Sequence, residues 1–160
     1  MDTIIIEDAL FAAIAAIGFS SISHLPKRAY PYCAVIAALS HSLRYIVMQN
    51  PEWHMHIFPA TLLASFFTGI SAVFLSHLAK TPAESCFFPS LLPMIPGMYA
   101  YRTFGAIAAC IFSDTPDTFS FYFYQFAHNG FICISVLISM VVGSTIPIAI
   151  FKKVSFQATR

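Results

Sequence analysis

Pro89-Ser-Leu-Leu-Pro93-Met-Ile-Pro96-Gly97-Met-Tyr99-Ala-Tyr101-Arg102 is the stretch on which the reading of this chain turns. It lies inside an apolar run from Cys86 to Phe112, long enough to cross a bilayer. Three prolines between Pro89 and Pro96 rule out one continuous helix. Each lacks an N–H, and its ring clashes with the carbonyl four residues earlier. In lipid, carbonyls freed in this way must be satisfied by protein or by water in a cavity. The stretch therefore predicts a membrane helix broken at Pro93 and Pro96-Gly97, with the break turned toward the protein interior.

The rest of the chain fits a membrane protein. Of 160 residues, 58% are hydrophobic and 9% charged, and the mean hydropathy is +0.76. Soluble domains carry about 25% charged residues, so the charges here are too few to cover a globular surface. The apolar runs are long and do not alternate, unlike the strands of a membrane β-barrel. The fold class expected is all-α, a polytopic transmembrane helix bundle forming one domain over residues 1–160. Net charge is +1 with no basic cluster, which disfavours nucleic acid as a partner. Asp2, Glu7 and Asp8 precede the first basic residue, Lys27, so the first apolar run reads as a retained helix rather than a cleaved signal peptide. Cys33, Cys86, Cys110 and Cys133 form no CxxC pair and read as small core hydrophobes.

Five spans are expected at about 4–22, 29–48, 56–78, 86–112 and 119–151, the fourth being the broken one. The fifth exceeds what a crossing needs, so a tilt, a start above the membrane, or a bend near Asn129-Gly130 or Pro147 is expected. Short polar turns with prolines join the spans: Ser23 to Arg28, Gln49 to Trp53, Lys80 to Glu84 and Ser113 to Asp117. With five spans, Lys27, Arg28, Lys80, Lys152, Lys153 and Arg160 share one side and the other side holds no Lys or Arg. The positive-inside rule makes the first side cytoplasmic, with the N-terminus outside and the C-terminus inside.

Two arginines fall within spans, Arg44 and Arg102. Intramembrane charges usually face a bundle interior or a cavity. Gly97 lies ten residues past Phe87, roughly 15 Å deep, near the bilayer midplane. A half-helix starting there aims free N–H groups and a positive dipole end at the break, an arrangement that holds carboxylates in transporters. The same break also reads as a packing kink with Arg102 snorkelling outward. On span two, Ser40, His41 and Arg44 share a face. That face reads either as a pathway lining, with His41 taking part in proton coupling, or as a small-residue packing face with Arg44 reaching the outer interface. Gln125, His128 and Asn129 form a polar face on span five, either pathway or interhelical glue. Glu7 and Asp8 begin span one at the outer side and read either as guards of an outer vestibule or proton acceptors, or by default as solvated charges at a helix end. His54 and His56 with Glu52 make a weak metal cluster in the outer loop one reading of that segment, but their spacing matches no standard site, so no metal or cofactor is expected. Phosphate-loop, nucleophile-elbow and zinc-helix motifs are absent, and the chain reads as a non-enzyme.

Gly18-Phe19 through Pro26, Arg28-Ala29, Cys33, the His41–Arg44 segment and above all Pro93-x-x-Pro96-Gly97-x-x-x-Tyr101 resemble the small, YjjB-type half of the threonine/serine exporter (ThrE) family. The proline-glycine motif in a small five-span chain is the specific part of the match. Where relatives tend to have glycines on span two, this chain has Ala37, Ser40 and Ser42, and it has His24 where they tend to have Asn. The resemblance implies a subunit of a secondary transporter in a bacterial inner membrane. It would export small carboxylate-bearing metabolites, threonine and serine or a dicarboxylate such as succinate, with a larger membrane subunit of the same family. The substrate-binding residues expected are Pro93, Pro96, Gly97, Tyr101, Arg102, His41 and Arg44, with partners limited to that subunit, the lipid bilayer and the substrate. The alternative is a non-transporting membrane scaffold or assembly subunit.

Overall fold

A computed structural model describes residues 2–51 and 55–151. Among them every regular element is helical: α1 (Asp2–Ile22), α2 (Tyr30–Gln49), α3 (Ile57–Ala79), α4 (Ala83–Leu91), α5 (Gly97–Ile111) and α6 (Pro116–Ile150), with 3-10 turns at Lys27–Ala29 and Leu92–Met94. The all-helical expectation holds. Among the described residues, three helices are long and apolar enough to cross a membrane: α1 over Thr3–Ile22, α3, and α6. α2 has the length, but Ser40, His41, Ser42 and Arg44 dilute its apolar content. The fourth expected span is divided between α4 and α5.

The described residues form two compact units. One is drawn from Met1–Met94 and Ser139–Arg160, the other from Ile95–Ile138. α6 contributes its first part to the second unit and its last part to the first.

In the first unit, α1 and α2 are antiparallel and meet through small side chains. Ala12, Ala16 and Ala37 form one buried cluster, at the four-residue spacing that keeps one helix face turned to its neighbour. α1 ends in a Schellman cap. The Leu25 N–H bonds the Ser20 carbonyl and the His24 N–H bonds the Ser21 carbonyl, with His24 left-handed at φ 53°. His, like Asn, is enriched in that conformation. α3 ends the same way, with Lys80 at φ 49° and the Thr81 N–H on the Ser76 carbonyl. A proline follows each cap, Pro26 and Pro82. Arg28 then donates to the Lys80 carbonyl at 3.0 Å, so the first and third loops lie together.

A second core joins α2, α3 and α4 around Ala29, Cys33, Ile36, Ala72, Ala79 and Cys86. Ser90 donates to the Cys33 carbonyl at 3.0 Å and to the Cys86 carbonyl of its own helix at 2.8 Å, tying α4 to α2. The last part of α6 packs backbone-close on α3. A Cβ on Gly69 would lie 2.5 Å from the Ser144 carbonyl oxygen, and one on Gly143 would collide with Ser65 and lie 2.7 Å from the Leu62 carbonyl. Ser65 bonds the Ser139 carbonyl at 3.0 Å. Ser65/Gly69 and Ser139/Gly143 each have the four-residue small-residue spacing that lets membrane helices approach.

The proline break is present as expected. Pro89 sits within α4, Pro93 within the Leu92–Met94 turn, and Pro96 just before α5. Pro96 has φ −78° and ψ 60°, and the Gly97 N–H bonds the Ile95 carbonyl at 2.8 Å, the geometry of an inverse γ-turn.

Candidate functional site

The polar side chains of α1 and α2 converge at one point. Asp8 lies on the α1 stripe that continues through Ala12, Ala16 and Ser20. Its four-residue spacing turns all of them toward α2. The carboxylate therefore meets His41 rather than solvent: Nδ1 of His41 stands 2.5 Å from Oδ2 of Asp8. On the far side of the ring, Nη2 of Arg44 is 2.9 Å from Nε2 of His41. Nη1 of Arg44 donates to the Met94 carbonyl at 3.0 Å. The chain Asp8–His41–Arg44–Met94 thus links α1, α2 and the proline motif.

The donor inventory fixes the protonation pattern. A guanidinium has donors only, so Nε2 of His41 accepts from Arg44. The ring hydrogen is then on Nδ1 and is donated to Asp8. The set is a carboxylate, a neutral imidazole and a guanidinium, whose formal charges cancel. His41 and Asp8 are partly covered, with side chains 15% and 27% exposed. Beside them Ser40 is fully buried, and its hydroxyl has no partner among the described residues. It shares the α2 face of Arg44. One turn further along both helices, Ile5, Tyr45, Ile46, Gln49, Asn50 and Pro51 line a cavity of about 100 Å³.

The expected site residues do not all behave alike. His41 and Arg44 come together. Arg44 does not reach outward to the interface, because the Met94 carbonyl and the His41 ring lie within reach of its guanidinium. Pro93 is half-buried and Pro96 buried; they supply the break that presents the Met94 carbonyl. Gly97 is exposed, and a Cβ there would meet nothing within 4 Å. Its small size is not demanded by any neighbour within the described residues.

Tyr101, 75% exposed, and Arg102, also exposed, have no side-chain partner among the described residues. They belong to the second unit. That unit also holds an apolar cavity of about 400 Å³ between α5 and α6, lined in part by Thr103, Phe104, Phe126, Gly130 and Ile134. On α6, Asn129 bonds back to the carbonyl and side chain of Gln125 at 2.7 and 3.2 Å, and His128 stacks on Tyr124. Among the described residues, these contacts of the polar face all lie within α6.

Asp8 was missed by the default for a charge near a helix end. The signal was its place on the small-residue stripe, which faces α2. The four cysteines are free, with Cys33 and Cys86 in the core. No metal-binding cluster of three ligands occurs among the described residues. Glu52 and His54 of the weak metal reading, Trp53, and the basic residues Lys152, Lys153 and Arg160 lie outside the described residues.

Comparison with known proteins adds a family. A family model described as threonine/serine exporter, ThrE, matches residues 8–150. An uncharacterized protein of Haemophilus influenzae is 37% identical over 98 residues, which is 61% of this chain and 32% of that relative. The matched stretch thus spans about a third of the relative's length. No solved structure matches the chain.

Proposed function

Because the chain belongs to the threonine/serine exporter (ThrE) family, we propose that it is one membrane subunit of a secondary transporter exporting small carboxylate-bearing metabolites. The substrates are threonine and serine, or a dicarboxylate such as succinate. The chain works with a larger membrane subunit of the same family, in a bacterial inner membrane. In this reading α1, α2, α3, the α4–α5 pair and α6 make five crossings of one transmembrane domain, with the N-terminus outside and the C-terminus cytoplasmic. The Arg28–Lys80 bond supports it by placing the first and third loops on one side.

The observation that carries the reading is the Asp8–His41–Arg44 chain seated on the Met94 carbonyl. Ionisable groups inside a membrane are costly and mark substrate or ion pathways. Arg44 supplies the positive charge that draws a carboxylate to the chain, held in place by the Met94 carbonyl and the His41 ring, and its guanidinium stays charged at any pH the protein meets. His41 supplies the adjacent N–H, and the Pro93–Pro96 break holds the Met94 carbonyl that orients the guanidinium. The buried Ser40 hydroxyl on the same face has no partner among the described residues.

The exposed Tyr101 and Arg102 favour a second role for their half of the motif. An unpaired arginine on an apolar helix calls for a carboxylate from outside the chain, from substrate or from the larger subunit. Arg102→Ala separates the two. Lost export with normal assembly places substrate there, whereas lost assembly makes α5 a docking helix, in line with a scaffold role. The exporter reading itself is tested by efflux of labelled threonine, serine and succinate from proteoliposomes holding both subunits. Export is expected to fall to background in Arg44→Ala at unchanged assembly. Wild-type export of all three in that variant contradicts the proposal.

A further inference from the structure

Cys33 and Cys86 read from the sequence as small core hydrophobes, yet the fold sets them against each other. Each is the fourth residue of its helix, Cys33 on α2 and Cys86 on α4. Both are fully buried in the core that joins those helices, and their side chains interact directly. The Ser90 hydroxyl reaches both cysteine carbonyls, at 3.0 and 2.8 Å, and so holds the two backbones together. The two carbonyl oxygens are no more than about 6 Å apart, and a disulfide joins Cα atoms about 4.4–6.8 Å apart. We propose that Cys33 and Cys86 form a reversible disulfide site, which on oxidation ties α4 to α2 and fastens the segment leading into the proline break.

Two features favour a site over packing alone. Oγ1 of Thr81 lies 3.1 Å from Sγ of Cys86, in place to donate to that sulfur once it has lost its proton. Cys86 also stands close behind the Thr81-Pro82 loop, three residues from the start of α4, about 4.5 Å along the helix. α4 has nine residues, contains Pro89 and runs into a 3-10 turn. So short a helix opens locally at low cost, and the opening admits a molecule as small as a peroxide. Cys110 and Cys133 provide the contrast. They are less buried and belong to the second unit, so they report exposure without this pairing.

The chemistry balances with a peroxide as oxidant. The Cys86 thiol gives up its proton, and the thiolate attacks one oxygen of hydrogen peroxide. The O–O bond breaks, hydroxide leaves and takes up that proton as water, and Cys86 becomes a sulfenic acid. The Cys33 sulfur then attacks the Cys86 sulfur. The S–O bond breaks, and the hydroxyl leaves with the Cys33 proton as a second water. Two thiols and one peroxide give one disulfide and two waters. A small dithiol reverses the bond in two exchange steps and ends as a disulfide itself. In the proposed topology the pair lies near the cytoplasmic face, where thiol reductants are maintained.

The effect of the bond follows from the connectivity. α2 carries His41 and Arg44 about two and three turns beyond Cys33. α4 leads from Cys86 into the Leu92–Met94 turn, whose Met94 carbonyl accepts from Arg44. With the disulfide formed, the segment from Cys86 to Met94 is attached to α2 at both ends and can no longer shift along it. The consequence for export rests on the exporter reading; the disulfide itself does not.

The test treats wild-type chain, in proteoliposomes with the larger subunit, with hydrogen peroxide, then blocks free thiols with N-ethylmaleimide and maps peptides by mass spectrometry. A peptide pair joined through Cys33 and Cys86 is expected, lost again after dithiothreitol, with Cys110 and Cys133 recovered as alkylated thiols. The mapping is done on wild type and so does not depend on any variant folding. Cys33 and Cys86 recovered free while Cys110 and Cys133 react overturns the inference, and so does a bond from either core cysteine to Cys110, to Cys133 or to a second chain. In Cys33→Ser, dimedone is expected to trap the Cys86 sulfenic acid; trapping at Cys33 in Cys86→Ser with none at Cys86 contradicts the assigned order of attack. Exchange of labelled threonine, serine or succinate is expected to be lost on oxidation and regained with dithiothreitol, while Cys86→Ala is indifferent to peroxide. A mapped disulfide with exchange unchanged overturns the lock. Reduced wild type that exchanges none of the three substrates contradicts the exporter reading instead, and the thiol mapping still decides the disulfide.

Discussion

Arg44 and Arg102 look alike in the sequence: each is a lone arginine in an apolar helix. Their surroundings differ. Arg44 lies in a seam of small residues, bonded to His41 and to the Met94 carbonyl and neutralised through the ring by Asp8. Arg102 projects from α5 with Met98, Tyr101, Phe104 and Ile111, all exposed, and has no partner among the described residues. The first arginine has been built into the chain's own structure. The second stands exposed on α5. A charge in a membrane helix is informative through what neutralises it, and helix packing decides that.

The largest effect that sharpens this contrast is expected at Arg44. Arg44→Ala leaves Asp8 without its counter-charge and the Met94 carbonyl and the His41 ring without their donor, a loss of about 1–3 kcal/mol for unsatisfied part-buried polar groups. Denaturation of the detergent-solubilised protein should show it. Asp8→Asn combined with Arg44→Ala should recover part of that loss, because no uncompensated charge then remains. A fully additive double variant contradicts the pairing.

The glycines give the next largest contrast. Gly143→Ala drives a methyl group into Ser65 and the Leu62 carbonyl and should cost about 1–3 kcal/mol as overpacking. Gly97→Ala and Gly105→Ala meet nothing within 4 Å and should change stability by no more than about 0.5 kcal/mol. Equal losses at all three positions would break the distinction between a closed α3–α6 contact and an open α5 face.

Ser40→Ala removes a buried hydroxyl that has no partner, and should raise stability by about 1 kcal/mol. If export falls at the same time, the hydroxyl serves a ligand rather than the fold. Arg102→Ala should have the smallest effect on the chain alone, within about 0.5 kcal/mol as for other exposed positions, while co-purification with the larger subunit or export is lost. A large destabilisation of the isolated chain would mean that Arg102 has an internal partner after all.

The proline break was legible because proline acts locally. Pro89 and Pro147 are each accommodated within a helix, but Pro93 and Pro96 following so closely end α4, and the fixed φ of Pro96 suits the inverse γ-turn found there. The two Schellman caps left a trace as well, a polar residue two positions before Pro26 and Pro82. His41 and Arg44 were legible as a shared face, but what they touch was not. That depends on how α1 packs against α2, which is set by the Ala12–Ala16–Ala37 contact and not by any residue in the motif. The role of Asp8 stood one inference away, since its spacing from Ala12 and Ala16 already placed it on the packing face. The α3–α6 contact had the same kind of signal in Ser65/Gly69 and Ser139/Gly143, hidden among ordinary apolar residues. Tyr101 and Arg102 were read into the site from their nearness in sequence to Gly97, and the helical turns of α5 carry them to an exposed face.

The central claim is that Arg44, held by His41 and the Met94 carbonyl, is the anchor for the exported carboxylate. Its most direct test is labelled-substrate exchange by the assembled pair carrying Arg44→Lys and Arg44→Ala. Arg44→Lys keeps the charge but loses the fork, and is expected to raise KM about tenfold or more as one charged hydrogen bond is lost. Arg44→Ala is expected to abolish exchange while the pair still assembles. An assembled Arg44→Ala pair that exchanges substrate with wild-type KM and rate would contradict the account.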